Sequence, residues 1–154
     1  MFFTPLNLPP APLKLTRSNG VVHVQCLIRR KKLVLTPEEW VRQHVLYYMI
    51  CHAGYPKERI AVEFALRYNG GIKRCDILVA NEIGAPLLIT ECKAPEVSID
   101  EKTLLQVAKY NHTLNASVFI LTNGLVHFSF EKSDHASALA FKEHIVSWQE
   151  LTGY

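Results

Sequence analysis

The spacing of apolar positions changes several times along this chain, and each change marks an element. Trp40, Val41, Val45, Tyr48, Met49 and His52 recur at the spacing of one helix face. Thr36 suits the cap of that helix, Pro37 its first position, and Glu39 completes a T-x-x-E capping box. Gly54 supplies the stop. Ahead of it, "LKLTRSNGVVHVQC" reads as two short strands around a Ser18-Asn19-Gly20 turn, and "IRRKK" as a basic connector. After it come a turn or short helical link, "YPKERI", and a strand closed by a glycine turn, "AVEFALRYNGG". "RCDILVANEIGAPLLITECKAP" reads as strand, turn and strand. A second helix opens at Ser98, with Glu101 three residues on, and turns Leu104, Val107, Ala108 and Asn111 inward. "SVFILT" is an apolar strand, and Asn123-Gly124 turns the chain into another, "LVHFSF". A closing helix is predicted over about 138–151, burying Phe141, Ile145 and Trp148. The order predicts an α/β domain with one central mixed sheet flanked by helices, behind an N-terminal β-hairpin.

Composition narrows this reading. The 154 residues, 49% hydrophobic and 20% charged, suit one domain with one core. Residues 1–12 carry four prolines and read as an extended arm; residues 13–154 are expected to form the domain. The net charge of +3 permits a nucleic-acid partner without requiring one. No apolar run is long enough for a membrane span, and the start lacks a basic leader, so a cytoplasmic protein is expected. Cys26, Cys51, Cys75 and Cys92 form no zinc-spaced pair and read as reduced thiols. No phosphate-binding glycine motif supports nucleotide binding.

Three charges stand out against the apolar hairpin at 74–95. Side chains alternate along a strand, so Glu91 and Lys93 share a face. A turn near Ile83-Gly84 makes pairing partners sum to roughly 167, which sets Asp76 opposite Glu91, within about 5 Å at Cβ. Two facing carboxylates repel unless a cation neutralises them. Mg²⁺ or Mn²⁺ suits the pair, with water and a substrate phosphate completing its shell. The backbone carbonyl of Cys92 is a further candidate ligand, its thiol pointing to the packed face. Lys93 is placed to orient or deprotonate a water, or to neutralise charge on a phosphate. A chance surface pairing of Asp, Glu and Lys is the plainer alternative on spacing alone.

Asp76 followed by Glu91-Cys92-Lys93 resembles the PD-(D/E)XK nuclease signature. "TPEEWVRQ" resembles that superfamily's first helix, with Glu39 and Arg42 as its Glu and Arg; Glu38 is the neighbouring candidate. "QVAKY", Gln106 to Tyr110, resembles its Q-x-x-x-Y element, and "LTNG" the strand and turn that follow. Together these most resemble the nuclease domain at the front of the restriction (motor) subunit of type I restriction enzymes. The resemblance implies a roughly four-stranded restriction-endonuclease-like core and Mg²⁺-dependent cleavage of DNA. It implies that Asp76, Glu91 and Glu39 hold the metal, that Lys93 positions or activates water, and that Gln106 and Tyr110 reach the site or a nucleotide. The capping box is the competing explanation for Glu39, and an ordinary amphipathic helix for Gln106 and Tyr110.

No motor follows in this chain, so it is either a fragment or, as Met1, the proline arm and the closing helix favour, a small complete protein, expected to act as a homodimer or with a helicase or restriction partner subunit. Arg30, Lys31 and Lys32 before the first helix, with Arg74 before Asp76, are expected to line a rim that contacts phosphates without reading sequence. The alternative function is a non-cleaving nucleic-acid-binding module, or a partner subunit, on the same scaffold.

Overall fold

A computed structural model describes residues 3–132 and 140–153, and only the backbone of 68, 108–114, 140 and 141. Two sheets form. The smaller contains β1 (Leu15–Ser18), β2 (Val21–Gln25) and β3 (Lys32–Val34), all antiparallel. The predicted N-terminal hairpin is therefore extended by a third strand, begun by the last residue of the basic connector. The six-stranded main sheet runs in chain order: β4 (Ile60–Tyr68), β5 (Gly71–Ala80), β6 (Pro86–Cys92), β7 (Val118–Thr122), β8 (His127–Glu131) and β9 (Ala140–Lys142). Only β6 and β7 are parallel, the connection that carries a helical crossover, here α2 (Glu101–Leu114). The sheet is thus mixed, as expected, but has six strands rather than about four.

Two buried clusters cover the sheet's faces. On one, Val41, Val45, Leu46 and Met49 of α1 (Pro37–Cys51) pack on Val62, Ile77, Val79, Leu88, Cys92 and Ile120. On the other, Val107 of α2 joins Cys75, Leu78, Ile89, Phe119 and Leu121. The buried stripe of α1 is rotated from the predicted one. Tyr48 is half-buried and His52 exposed, while Glu39, Arg42, Gln43 and His44 are buried. Trp40 turns instead to the N-terminal arm, stacking on Phe3 and donating its indole N–H to the Thr4 carbonyl at 3.0 Å. Leu6 and Leu8 of the arm pack against the α1-side core.

Three end signals read differently in three dimensions. Thr36 caps α1 as predicted, its hydroxyl accepting from the Glu39 N–H, but the Glu39 side chain turns away from the cap. α2 begins at Glu101, and Asp100 rather than Ser98 accepts the N–H of Thr103, because a carboxylate directly before the first turn outcompetes a more distant hydroxyl. The long closing helix is not found. Within its predicted span, 138–139 lie outside the described residues, 140–142 form β9, and only α3 (Trp148–Thr152) is helical, opened by a Ser147–Glu150 capping box. Ile145 is buried and Trp148 packs at the core's edge, but they reach it from a loop and a short helix. Phe141's side chain lies outside the described residues.

Candidate active site

The hairpin register matches the pairing expected from its turn. Ile77 pairs with Thr90, Leu78 with Ile89 and Val79 with Leu88, and a bulge at Val79/Ala80 absorbs the turn. Asn81 organises that turn, its side-chain oxygen accepting from the N–H groups of Ile83 and Ala85. One step past the last pair, Asp76 Oδ2 accepts the Cys92 N–H at 2.7 Å, which brings its carboxylate to the Glu91 end of β6.

Asp76 reaches its place through a break in alternation. In the β4–β5 ladder, Val62 pairs with Ile77 and Phe64 with Cys75, but Glu63 and Asp76 between them do not pair. Glu63 has φ of +48°, a strained value for a side-chain-bearing residue within a strand. Asp76 and Ile77, adjacent in sequence, consequently both address α1: Ile77 in its core, Asp76 through Arg42.

Arg42 is the centre of the cluster. It is only 5% exposed, and its guanidinium donates to Asp76 Oδ1 at 2.6 Å and to Glu39 Oε2 at 2.7 Å. Longer contacts of 3.4 Å reach Glu63 and Glu38. Burial opposes its charge, but the carboxylates of Asp76 and Glu39 overcome that and raise its pKa. Arg29, from the connector, is drawn inward onto Glu63. Burial raises the Glu63 pKa and the Arg29 hydrogen bond lowers it, with a net lowering.

The remaining contacts separate the two glutamates of α1. Glu39 is buried, with Oε1 accepting from Gln43 at 2.7 Å and Oε2 from Arg42. Glu38 keeps a side chain 46% exposed. Its pKa is raised by burial and then by Asp76, and lowered by Arg42 and Lys93, so its carboxylate lies in the field of the Asp76–Lys93 group. Glu38 touches the cluster through Arg42 at 3.4 Å, while Glu39 is committed to Arg42 and Gln43.

Across the sheet, Lys93 Nζ meets Glu91 Oε1 at 3.0 Å. Burial raises the Glu91 pKa, Asp76 raises it further, and Lys93 pulls it back without cancelling the rise. Burial lowers that of Lys93, but Glu91 more than compensates and Lys93 is held as an ammonium. The N–H of Cys92 donates to Asp76 Oδ2 at 2.7 Å, and the Cys92 thiol is buried in the α1-side core, its pKa pushed well up by burial. Asp76, Glu91 and Lys93 thus gather where β6 ends, with Glu38 linked to Asp76 through Arg42.

The other candidates differ in exposure. Arg30, Lys31, Lys32 and Arg74 are exposed, whereas Arg42 faces carboxylates and not solvent. Gln106 is exposed on α2, and the Tyr110 side chain lies outside the described residues. Glu63 escaped the sequence reading. The pairing arithmetic used for the second hairpin, applied around the Asn69-Gly70 turn, would have set it opposite Asp76.

The donor set suits one kind of ion. Among the described residues, no three His, Cys, Asp or Glu side chains are arranged to enclose a metal. Asp76 and Glu91 are hard oxygen donors, and Mg²⁺ is commonly held by one or two carboxylates with water completing the octahedron. Burial and the neighbouring Asp76 raise the Glu91 pKa even with Lys93 at 3.0 Å, and a cation held here would favour its ionised form.

A family model described as type I restriction enzyme R protein N terminus matches residues 37–145. No curated protein matches the chain. Among solved structures, the chain is similar to a fragment described as the HsdR subunit of a type I restriction enzyme from Vibrio vulnificus YJ016, with a TM-score of 0.57 and 17% identity. The match covers 76% of this chain and 24% of that one, so the likeness is one of fold and spans about a quarter of the longer chain.

Proposed function

We propose, on the premise that the chain belongs to the family of type I restriction enzyme R protein N termini, that the group at the end of β6 is a metal-dependent DNA-cleaving centre. The observation that carries this reading is the meeting of Asp76, Glu91 and Lys93 at the end of β6, with Glu38 of α1 contacting the Arg42 that holds Asp76. Asp76 and Glu91 would hold a divalent ion, with the Cys92 carbonyl as a further oxygen donor. A bound ion of this kind polarises a phosphodiester and makes its water a better nucleophile. Lys93, an ammonium, orients that water or offsets charge growing on the phosphate. Glu38, half-exposed and 3.4 Å from Arg42, would accept a proton from water or a hydrogen bond from it. Arg42 fixes the direction of the Asp76 carboxylate without touching substrate. Supercoiled plasmid incubated with Mg²⁺ or Mn²⁺ tests the assignment. Wild type is expected to nick it and Lys93→Ala to fail; equal activity in both overturns the reading.

One observation favours a second reading, a DNA-binding module that does not cut: Arg42 already supplies Asp76 with a cation. Titration calorimetry with Mn²⁺ separates the two. An isotherm lost in Asp76→Asn and Glu91→Gln supports the metal centre, and no isotherm in wild type supports the passive module.

A further inference from the structure

The β4–β5 hairpin outruns the sheet that anchors it. β6 pairs with β5 only from Ile77 to Ala80, whereas β4 and β5 remain paired out to Tyr68 and Gly71. Residues 64–75 therefore form a two-stranded ribbon whose base is Asp76. The tip is Asn69-Gly70, with φ of +45° and +76°, a two-residue loop whose twist keeps the strands together.

The face of this ribbon has a particular composition. Cross-strand pairing sets Arg67 opposite Ile72 and Ala65 opposite Arg74, so these four share one side. All four are exposed. Ile72 is 75% exposed and belongs to neither core cluster. Residues 64–75 include three basic side chains and no acidic one. Arg29, Arg42 and Arg59 each have a carboxylate partner. Arg67 and Arg74 have no salt-bridge partner among the described residues.

A hairpin retained for stability alone would turn its isoleucine inward and pair its arginines. This one presents two guanidinium groups that make no salt bridge among the described residues, Arg74 acting on Glu63 only at longer range, around an apolar side chain on the strand that leads to Asp76. A two-stranded antiparallel ribbon fits the roughly 12 Å width of the DNA major groove. Arginines beside the strands reach phosphates, and an apolar tip residue meets thymine methyls on the groove floor.

We propose that this ribbon seats duplex DNA against the Asp76 group, with Arg67 and Arg74 each taking a phosphate and Ile72 entering the groove between them. The proposal rests on the reading of DNA as substrate and adds the element that positions it.

The test is binding of a short fluorescent duplex, read by anisotropy across a salt series in EDTA, so that binding is measured without cleavage. The Arg67→Ala/Arg74→Ala double variant is expected to bind roughly tenfold more weakly and to reduce the log K–log salt slope by about 2. Ile72→Ser is expected to weaken duplex binding without changing the slope. An unchanged slope in the double variant overturns the proposal, as does equal loss on a single strand of the same length. Plasmid cleavage separates this from the nuclease reading. Cleavage by wild type with an unchanged slope in the variant sinks the ribbon alone. Binding lost in the double variant, with no cleavage by wild type, supports the ribbon and sinks the nuclease.

Discussion

The guanidinium of Arg42 and the carboxylate of Asp76 meet at 2.6 Å, both almost excluded from solvent. Arg42 also answers Glu39, so a single side chain balances two buried anions. Its removal would leave both uncompensated. Arg42→Met is expected to cost about 3–5 kcal/mol in urea denaturation, the range for breaking a buried ion pair from one side. Arg42→Lys should recover only part of this, because an ammonium lacks the planar fork that reaches two carboxylates. A loss below about 1 kcal/mol for Arg42→Met would contradict the role assigned to this pair.

Glu91 gives a pH dependence of defined sign. Burial and then Asp76 raise its pKa above the ordinary glutamate value of 4.5. Its contribution to stability is therefore fully present below that value and is lost as pH rises through the elevated folded pKa. Glu91→Gln removes the ionisation, so the variant should gain Tm relative to wild type as pH is raised from 4 to 8 in EDTA. Mg²⁺ should stabilise wild type selectively and close the gap. A Tm difference that stays constant with pH would refute this account.

The two neighbouring glutamates of α1 should separate by assay. Glu38 is half-exposed with a single long contact of 3.4 Å to Arg42, so Glu38→Gln is expected to reduce metal-dependent cleavage about 10- to 100-fold with little change in Tm. Glu39 is locked by Arg42 and Gln43, so Glu39→Gln should chiefly lower stability. The opposite pattern, a stable inactive Glu39→Gln and a fully active Glu38→Gln, would reverse the assignment.

The short last helix has its own acid sensitivity. Hydrogen bonds from Ser147 and His144 hold Glu150 down at about 2. The stability this adds is present above the ordinary 4.5 and is lost as pH falls toward 2. Trp148 emission, recorded in a Trp40→Phe background, should report release of α3 in that window. Glu150→Ala should cost about 1 kcal/mol at neutral pH, the usual size of a cap. Identical acid transitions in the two proteins would discount the capping box.

What could be read from the sequence followed local rules. Alternation and one turn were enough to set the register of Ile77 with Thr90, beside Asp76 and Glu91, because a strand's side-chain period leaves little freedom once the turn is placed. The capping residues and proline at 36–37 located the start of α1. The inward turn of Asp76 was not legible, since it depends on a positive φ at Glu63 that residue type does not announce. The contacts of the Glu39 side chain were hidden for a related reason. A capping box describes the backbone at a helix start, whereas the Glu39 side chain is claimed by Arg42 and Gln43 on the same helix. The overlong closing helix arose because Phe141, Ile145 and Trp148 recur at helical spacing, and β9, a loop and α3 occupy those same positions.

The N-terminal arm has a consequence for the order of folding. Asn7 bonds the Leu125 carbonyl across 118 positions, and its own carbonyl meets His127 across 120. Leu6 presses against the place where a side chain at Gly124 would sit. Closing so long a loop costs entropy that only an assembled sheet offsets, so this clasp engages after the barrier to folding is crossed. Contacts made that late chiefly retard escape from the native state. Asn7→Ala should accelerate unfolding in stopped-flow chevrons and leave the refolding limb in place. The arm then sets how long the fold lasts rather than how quickly it is reached.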